Sequence, residues 1–241
     1  MRNIPNTALV LVFLRTYLVG AAYNMRGLQN VGFMYAMEPA LAAIHKEPEA
    51  LRTARGRYVR HFNCHPFWTP LVAGMYLRAE YDMAGGTMAP KAFASVKDTA
   101  ANTLSAIGDS VFGGTLLVTW GLLCGFLIIG DQYGTAIAIS VMLFTGLQFF
   151  KLCTYAAGVH YGLIALFWLR KFDLINWGDR FKLVNALLLL LILAQLVPQS
   201  DHPGLWVLAV VYATLAAFLT ARHVPRTLLA LVATSVMLLC T

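Results

Sequence analysis

Residues 111–129 (VFGGTLLVTWGLLCGFLII) hold no charged side chain, and residues 135–169 hold only Lys151. A helix of about 20 apolar residues crosses the hydrocarbon core of a bilayer. Such runs leave few soluble folds available, and composition agrees. Only 12% of the 241 residues are charged, against about 25% in soluble domains. In lipid every backbone polar group needs an internal partner, so the expectation is an all-α integral membrane protein. Further apolar stretches at 183–197, 205–221 and 227–240 add transmembrane helices to the C-terminal half. No cleavable signal peptide is expected, since residues 1–7 hold one Arg and residues 16–22 lack a cleavage site. The four cysteines form no CxxC pair and read as small buried hydrophobes.

The N-terminal half is built differently. Residues 8–22 are apolar but short and broken by Arg15, which suits an interfacial or half-membrane helix. After residue 66, FWTPLVAGMYLRAEY is again short and is interrupted by Pro70 and Gly74. Two broken apolar pieces predict re-entrant or interfacial helices. Between them Pro39 is expected to restart a helix whose Arg52, Arg55, Arg57 and Arg60 gather on one face, for a headgroup layer or an acidic partner. Residues 81–90 read as a Gly-rich hinge loop, and residues 91–108 as an amphipathic helix. Asp109 and Ser110 then read as the N-cap of the first full span. Residues 135–169 are either one bent helix or two short ones, with Gly146 and Gly158 near the middle.

Charge placement sets an expected orientation. The turns at 130–134 and 198–204 lack Lys and Arg, whereas 45–61, 170–182 and 222–226 are basic. Under the positive-inside rule the basic segments are cytoplasmic, with Trp168, Trp177 and Trp206 near the interfaces. The net charge of +7 is thereby topology and contact with membrane lipid, not nucleic-acid binding.

Polar chemistry concentrates in YNMRGLQNVGFMYAMEP, residues 23–39, with Asn24, Arg26, Gln29, Asn30 and Glu38 between apolar flanks. Such groups need partners within the chain or a ligand. Carboxamides offer donor and acceptor together, as sugar hydroxyls require. The residues suit either half of a membrane-embedded sugar site or a polar break between two helices. Asn63 and His65 form a second polar pair. His61 and His65 are four apart, but Asn63 and Pro66 interrupt a regular helix, so a zinc site is not expected. Lys151 lies deep in an apolar helix and is either a functional group or a snorkelling one. No phosphate loop, HExxH or GxSxG is present, and no nucleophile stands beside an oriented base. The chain is not expected to be catalytic by itself.

Three blocks in order resemble the IID component of the mannose/fructose/sorbose-family phosphotransferase system. The first has FLR at 13–15, then Tyr23, Asn24, Gln29, Gly32, Phe33, Tyr35, Met37, Pro39 and Ala40. The second is RHFNCHP with Asn63, His65 and Pro66, followed by Glu80 where a family acidic pair begins. The third is SAIGDSVFGGT with Gly108, Asp109, Phe112, Gly114 and Thr115; weaker matches run through Lys151 and GVHYG at 158–162. The chain departs from the family at Met25, Arg26 and Gly27, where an acidic–basic pair is usual, and its C-terminal third is shorter.

The resemblance implies a single membrane domain over 1–241, with a motif-bearing part (1–110) and transmembrane helices (111–241). It implies a multi-pass subunit of the bacterial inner membrane, hetero-oligomeric with a IIC component. Cytoplasmic IIA and IIB phosphocarriers would phosphorylate the incoming hexose or amino sugar. Asn24, Gln29, Asn63 and His65 would line or support the sugar site; Lys97, Asp109 and Lys151 would hold the helices or the IIC interface. No cofactor or metal is implied. The alternative is a regulatory or structural subunit that moves nothing.

Overall fold

The computed structural model describes residues 4–196 and scattered positions between 204 and 227. Apart from those positions, the expected turn at 198–204, Trp206 and the spans at 205–221 and 227–240 lie outside the described residues. The chain divides into two units, 1–189 and 190–241. Among the described residues the structure is helical, with isolated bridges pairing Asn24 to Leu28 and Leu28 to Phe62.

Helix α1 (Asn6–Arg15) runs into a 3-10 segment (Thr16–Ala22). Helix α2 (Asn30–Ile44) contains Pro39 in its interior, so the expected restart at that residue is not observed. Proline has no N–H to give to the carbonyl four residues back, which is that of Tyr35. Arg15 supplies the missing donor: its Nη1 reaches Tyr35 O at 3.1 Å, and its guanidinium lies 4.1 Å from the Tyr35 ring. The FLR and MEPA motifs are thereby two halves of one contact.

Helix α3 (Pro48–Val59) and helix α4 (Thr69–Ala84) both start with proline in the first turn, where the missing N–H costs nothing. The basic face expected on α3 is divided. Arg55 pairs with Glu38 of α2, whereas Arg57 turns inward to the fully buried Glu80 of α4. Glu80 also accepts from the Tyr58 hydroxyl (2.7 Å) and bonds His45 Nε2 (2.9 Å), tying α2, α3 and α4 together. Burial first, and then the Glu80 charge, hold the Tyr58 phenol well above its ordinary range.

Helix α5 (Pro90–Gly108), a π-helical stretch (Asp109–Leu116) and α6 (Leu117–Ile129) form one continuous 40-residue helix. Asp109 and Ser110 therefore do not cap a new helix. After a turn at 130–132 comes α7 (Tyr133–Tyr161), then a 3-10 turn and α8 (Ala165–Arg170). The break after α7 falls at Gly162 with φ +57°, not at Gly146 or Gly158. Helix α9 (Leu174–Leu196) follows. The stretches 90–129 and 133–169 are both long and apolar enough to cross a membrane.

Helices α4 and α7 form the central contact. A Cβ on Gly74 would lie 2.5 Å from Tyr155 O, and one on Gly158 would lie 2.5 Å from Leu71 O. Only two glycines allow the backbones to cross so closely. This explains why α4, although short, is buried on every side from Thr69 to Leu77.

Candidate functional site

The first motif block closes into a compact junction. Asn24 Oδ1 accepts the backbone N–H groups of Arg26 (3.1 Å) and Gly27 (2.9 Å), while its Nδ2 donates to Asn30 Oδ1 (2.7 Å) and Leu28 O (3.3 Å). Asn30 Nδ2 in turn donates to Val59 O. Backbone bonds Gln29 N–Phe62 O (2.8 Å) and Phe62 N–Gly27 O (3.1 Å) join the loop to the second block, and Gln29 Oε1 accepts from Cys64 N (3.1 Å). The Phe62 ring stacks on Phe33 of α2.

Every hydrogen-bonding atom of the Asn24 amide is thus spent inside the protein. Gln29 uses its oxygen on the junction, and Asn63 Nδ2 reaches Ser105 Oγ of α5 at 3.4 Å. A Cβ on Gly27 would lie 2.2 Å from the Asn30 amide nitrogen, so any side chain there would have to displace the Asn30 amide. Met25 stands 91% exposed beside it. Asn24→Ala should cost about 1–3 kcal/mol through the unpartnered N–H groups it leaves. Thermal unfolding of the purified chain checks this; an unchanged midpoint would show that water replaces the amide.

The second and third blocks meet at a different place. His65 lies against Gly108, whose hypothetical Cβ would be 2.3 Å from His65 Cβ, and its ring stacks on Phe112 with centroids 5.3 Å apart. Its Nδ1 accepts from Phe67 N at 3.3 Å. Burial holds the imidazole below its ordinary value; the Asp109 charge opposes this and the Lys151 charge adds to it. Burial also pushes the Cys64 thiol up to about 12, which leaves it an inert core group. Phe67, Trp68, Phe112 and Phe150 continue from His65 as one ring cluster, with neighbouring centroids 4.8 to 5.7 Å apart.

Lys151 of α7 borders this cluster. Its Nζ lies 4.2 Å from the Tyr17 ring centroid and 5.0 Å from that of Phe67, and the residue is 8% exposed. Tyr17 is fixed by its hydroxyl bond to Gln148 Oε1 at 2.6 Å. Among the described residues no carboxylate pairs with Lys151. A desolvated cation–π contact contributes about 2 kcal/mol, whereas burying an ion costs several. The aromatic faces alone would not balance a fully desolvated ammonium, and Lys151 Nζ is not among the buried side-chain atoms left without a partner, so its position is compatible with a snorkelling side chain.

The remaining sequence-derived residues fall outside this cluster's interior. Lys97 is buried, ion-paired with its neighbour Asp98, and its carbonyl accepts from the Tyr76 hydroxyl, so it joins α5 to α4. Asp109 is exposed at the start of the π-helical stretch, a helical form that is rare and found mostly at functional sites. The sequence alone did not single out Tyr17, Phe67, Trp68, Gln148 or Phe150. Of these, only the unusual aromatic density after FNCHP was a visible signal.

A helical chain with two long apolar helices, each meeting N-terminal half-length helices, is the fold of a known class. A solved chain described as "Structure of membrane protein" matches with TM-score 0.67 at 22% identity, over 98% of this chain and 96% of that one. A chain of the mannose transporter ManYZ in complex with microcin E492 matches with TM-score 0.54 at 21% identity, over 98% and 95%. The profile of the PTS mannose/fructose/sorbose-family IID component matches residues 3–176, and this chain belongs to that family. The mannose-specific EIID component of Escherichia coli K12 is 31% identical over 159 residues, 63% of this chain and 53% of that protein. The fructose permease IID component of Bacillus subtilis 168 is 26% identical over 154 residues, 64% and 54%. The chain spans about half the length of the curated relatives it matches.

Proposed function

We propose that this chain is a non-catalytic membrane subunit which, with a IIC-type partner, forms a permease that binds and translocates a hexose or amino sugar. Transfer of phosphate from a IIB-type phosphocarrier would accompany translocation. The observation that carries this reading is the family match across residues 3–176, which contains all three motif blocks. In this reading the helices 90–129 and 133–169 cross the bacterial inner membrane as a hairpin, with the Lys- and Arg-free turn at 130–132 facing out. The exposed Arg52 and Arg60 of the α3 face remain for the acidic surface of a cytoplasmic phosphocarrier. Asn24 and Gln29 support the sugar site by fixing the junction, Asn63 by its bond to Ser105 of α5, and His65 forms part of its wall. Lys97, by joining α5 to α4, supports the same frame.

Co-expression with IIC- and IIB-type proteins, followed by uptake of labelled mannose or fructose, tests the proposal. Phosphorylated sugar should accumulate with the chain present and not without it. Equal accumulation with and without the chain would instead favour a structural or regulatory subunit.

A further inference from the structure

The helix break at Gly162 opens a groove on the outside of the bundle. Its φ of +57° ends α7, and the turn that follows brings α8 beside the last turns of α7. Leu71 of α4, Cys153 and Ala157 of α7, and Trp168, Leu169 and Phe172 line a cavity of about 270 Å³ there. Its walls are mainly apolar, and the Thr154 hydroxyl among them is spent on the carbonyls of Phe150 and Lys151. A dry apolar cavity of about 150 Å³ already takes up benzene, so this space suffices for a length of hydrocarbon chain.

One end of the groove is basic. At Ala157 and Tyr161 it joins a wider hollow of about 720 Å³, which Arg78 and His160 also line. Arg78 packs on the break, its Cγ 2.9 Å from where a Gly162 Cβ would be, and its Nη1 donates to His160 O at 3.1 Å. Its Nε is shared between the two Asp82 oxygens at 3.0 and 3.1 Å, whereas its Nη2 makes no hydrogen bond among the described residues. Asp82 offsets part of the Arg78 charge, and the exposed Lys171 adds a second cation, 4.9 Å from the Trp168 ring. The Tyr161 and Trp168 rings, with centroids 6.1 Å apart, link the hollow to the groove.

Tyr and Trp beside Arg and Lys mark the headgroup level of a bilayer, and basic pockets between membrane helices take up anionic headgroups. The flanking stretch 133–169 is long and apolar enough to cross a membrane, which puts lipid around the groove. Its occupant needs a hydrocarbon tail for one end and an anion for the other. A phospholipid supplies both, whereas free phosphate would leave the groove unfilled.

We propose that this groove binds one anionic phospholipid, with an acyl chain between α7 and α8 and the phosphate against Arg78 Nη2, drawn in by Lys171. Bound there, the lipid braces the break at Gly162. The inference requires only that the chain lies in a membrane and stands apart from the permease reading.

The test uses the full chain, delipidated in detergent and titrated with dioleoyl phosphatidylglycerol while native mass spectrometry counts the bound lipid. Dioleoyl phosphatidylcholine and inorganic phosphate are the comparison probes. One phosphatidylglycerol should bind saturably and at least about fivefold more tightly than phosphatidylcholine, and phosphate should not displace it. Ala157→Phe fills the groove and should abolish binding. Lys171→Gln and Arg78→Gln should each weaken it about fivefold, the effect of one basic residue beside an anionic headgroup. Val141→Phe, at an exposed position of α7 outside the groove lining, is the control and should bind as the parent does. Lys171 is exposed, so Lys171→Gln decides the matter if the phenylalanine variant does not fold. Equal binding of the two lipids, or parental affinity in either Lys171→Gln or Ala157→Phe, overturns the site. Displacement by phosphate makes it a free-anion site and overturns the lipid. Loss of a co-expressed IIC-type protein from Ala157→Phe with lipid binding intact makes the groove a helix-packing surface and overturns the proposal as well.

Discussion

Gly158→Leu is expected to be the most damaging single substitution in the described fold. Even the first carbon of the new side chain would lie 2.5 Å from Leu71 O and 2.8 Å from Met75 N. Both are backbone atoms of a packed helix and cannot rotate away. Overpacking a core usually costs about 1–3 kcal/mol, and a clash of backbone with backbone belongs at or beyond the upper end. Gly158→Ala is the minimal form of the same change and should lower the thermal unfolding midpoint by several degrees. Gly146→Ala, on the same helix with nothing within 4 Å, serves as the control and should be neutral or slightly stabilising. Equal midpoints for the two alanine variants would show that α4 and α7 separate freely.

Glu80→Ala should come second. It removes the common acceptor of Arg57, Tyr58 and His45, whose side chains all lie inside the packing of α2, α3 and α4. Removing one partner of a buried ionic network costs about 3–5 kcal/mol, mostly from the charge left uncompensated. The double variant Glu80→Leu with Arg57→Leu removes both charges and should recover a good part of that loss. Denaturant midpoints of parent, single and double variants measure the coupling. A double variant no better than the sum of its singles would mean that Arg57 reaches water once released.

The sequence and the structure agree where the signal is local and long. Runs such as 111–129 announce a helix by length and apolarity alone, whatever they pack against. The sequence reading failed where a distant residue changed a local rule. Pro39 should interrupt a helix, but Arg15, remote in sequence, takes the carbonyl that proline leaves free. Asp109 and Ser110 have the residue types of a cap, yet the helix continues through them in the wider π form. The arginine spacing on α3 was visible, while the buried carboxylate that turns Arg57 inward belongs to α4. Lys151 stood out as a lone charge in an apolar run. Trp68 did not: that its buried indole N–H finds no acceptor among the described residues is a property of three-dimensional surroundings and leaves no mark on composition. The junction residues Asn24, Gln29 and Asn30 need partners by their chemistry alone, whereas the identity of those partners, mostly backbone groups, depends on the fold.

The crossing of α4 with α7 also dictates an order of events during synthesis. Helix α4 leaves the ribosome before the whole of the 90–129 helix, and α7 comes after that. Until α7 emerges, the Gly74 face of α4 has no helix to close on it, and its buried apolar surface stays open. Contacts separated by so much chain are slow to form and leave intermediates prone to aggregate. A nascent chain halted at the 130–132 turn would thus carry all three motif blocks and still be unable to complete its core, so quality control has a defined species to recognise.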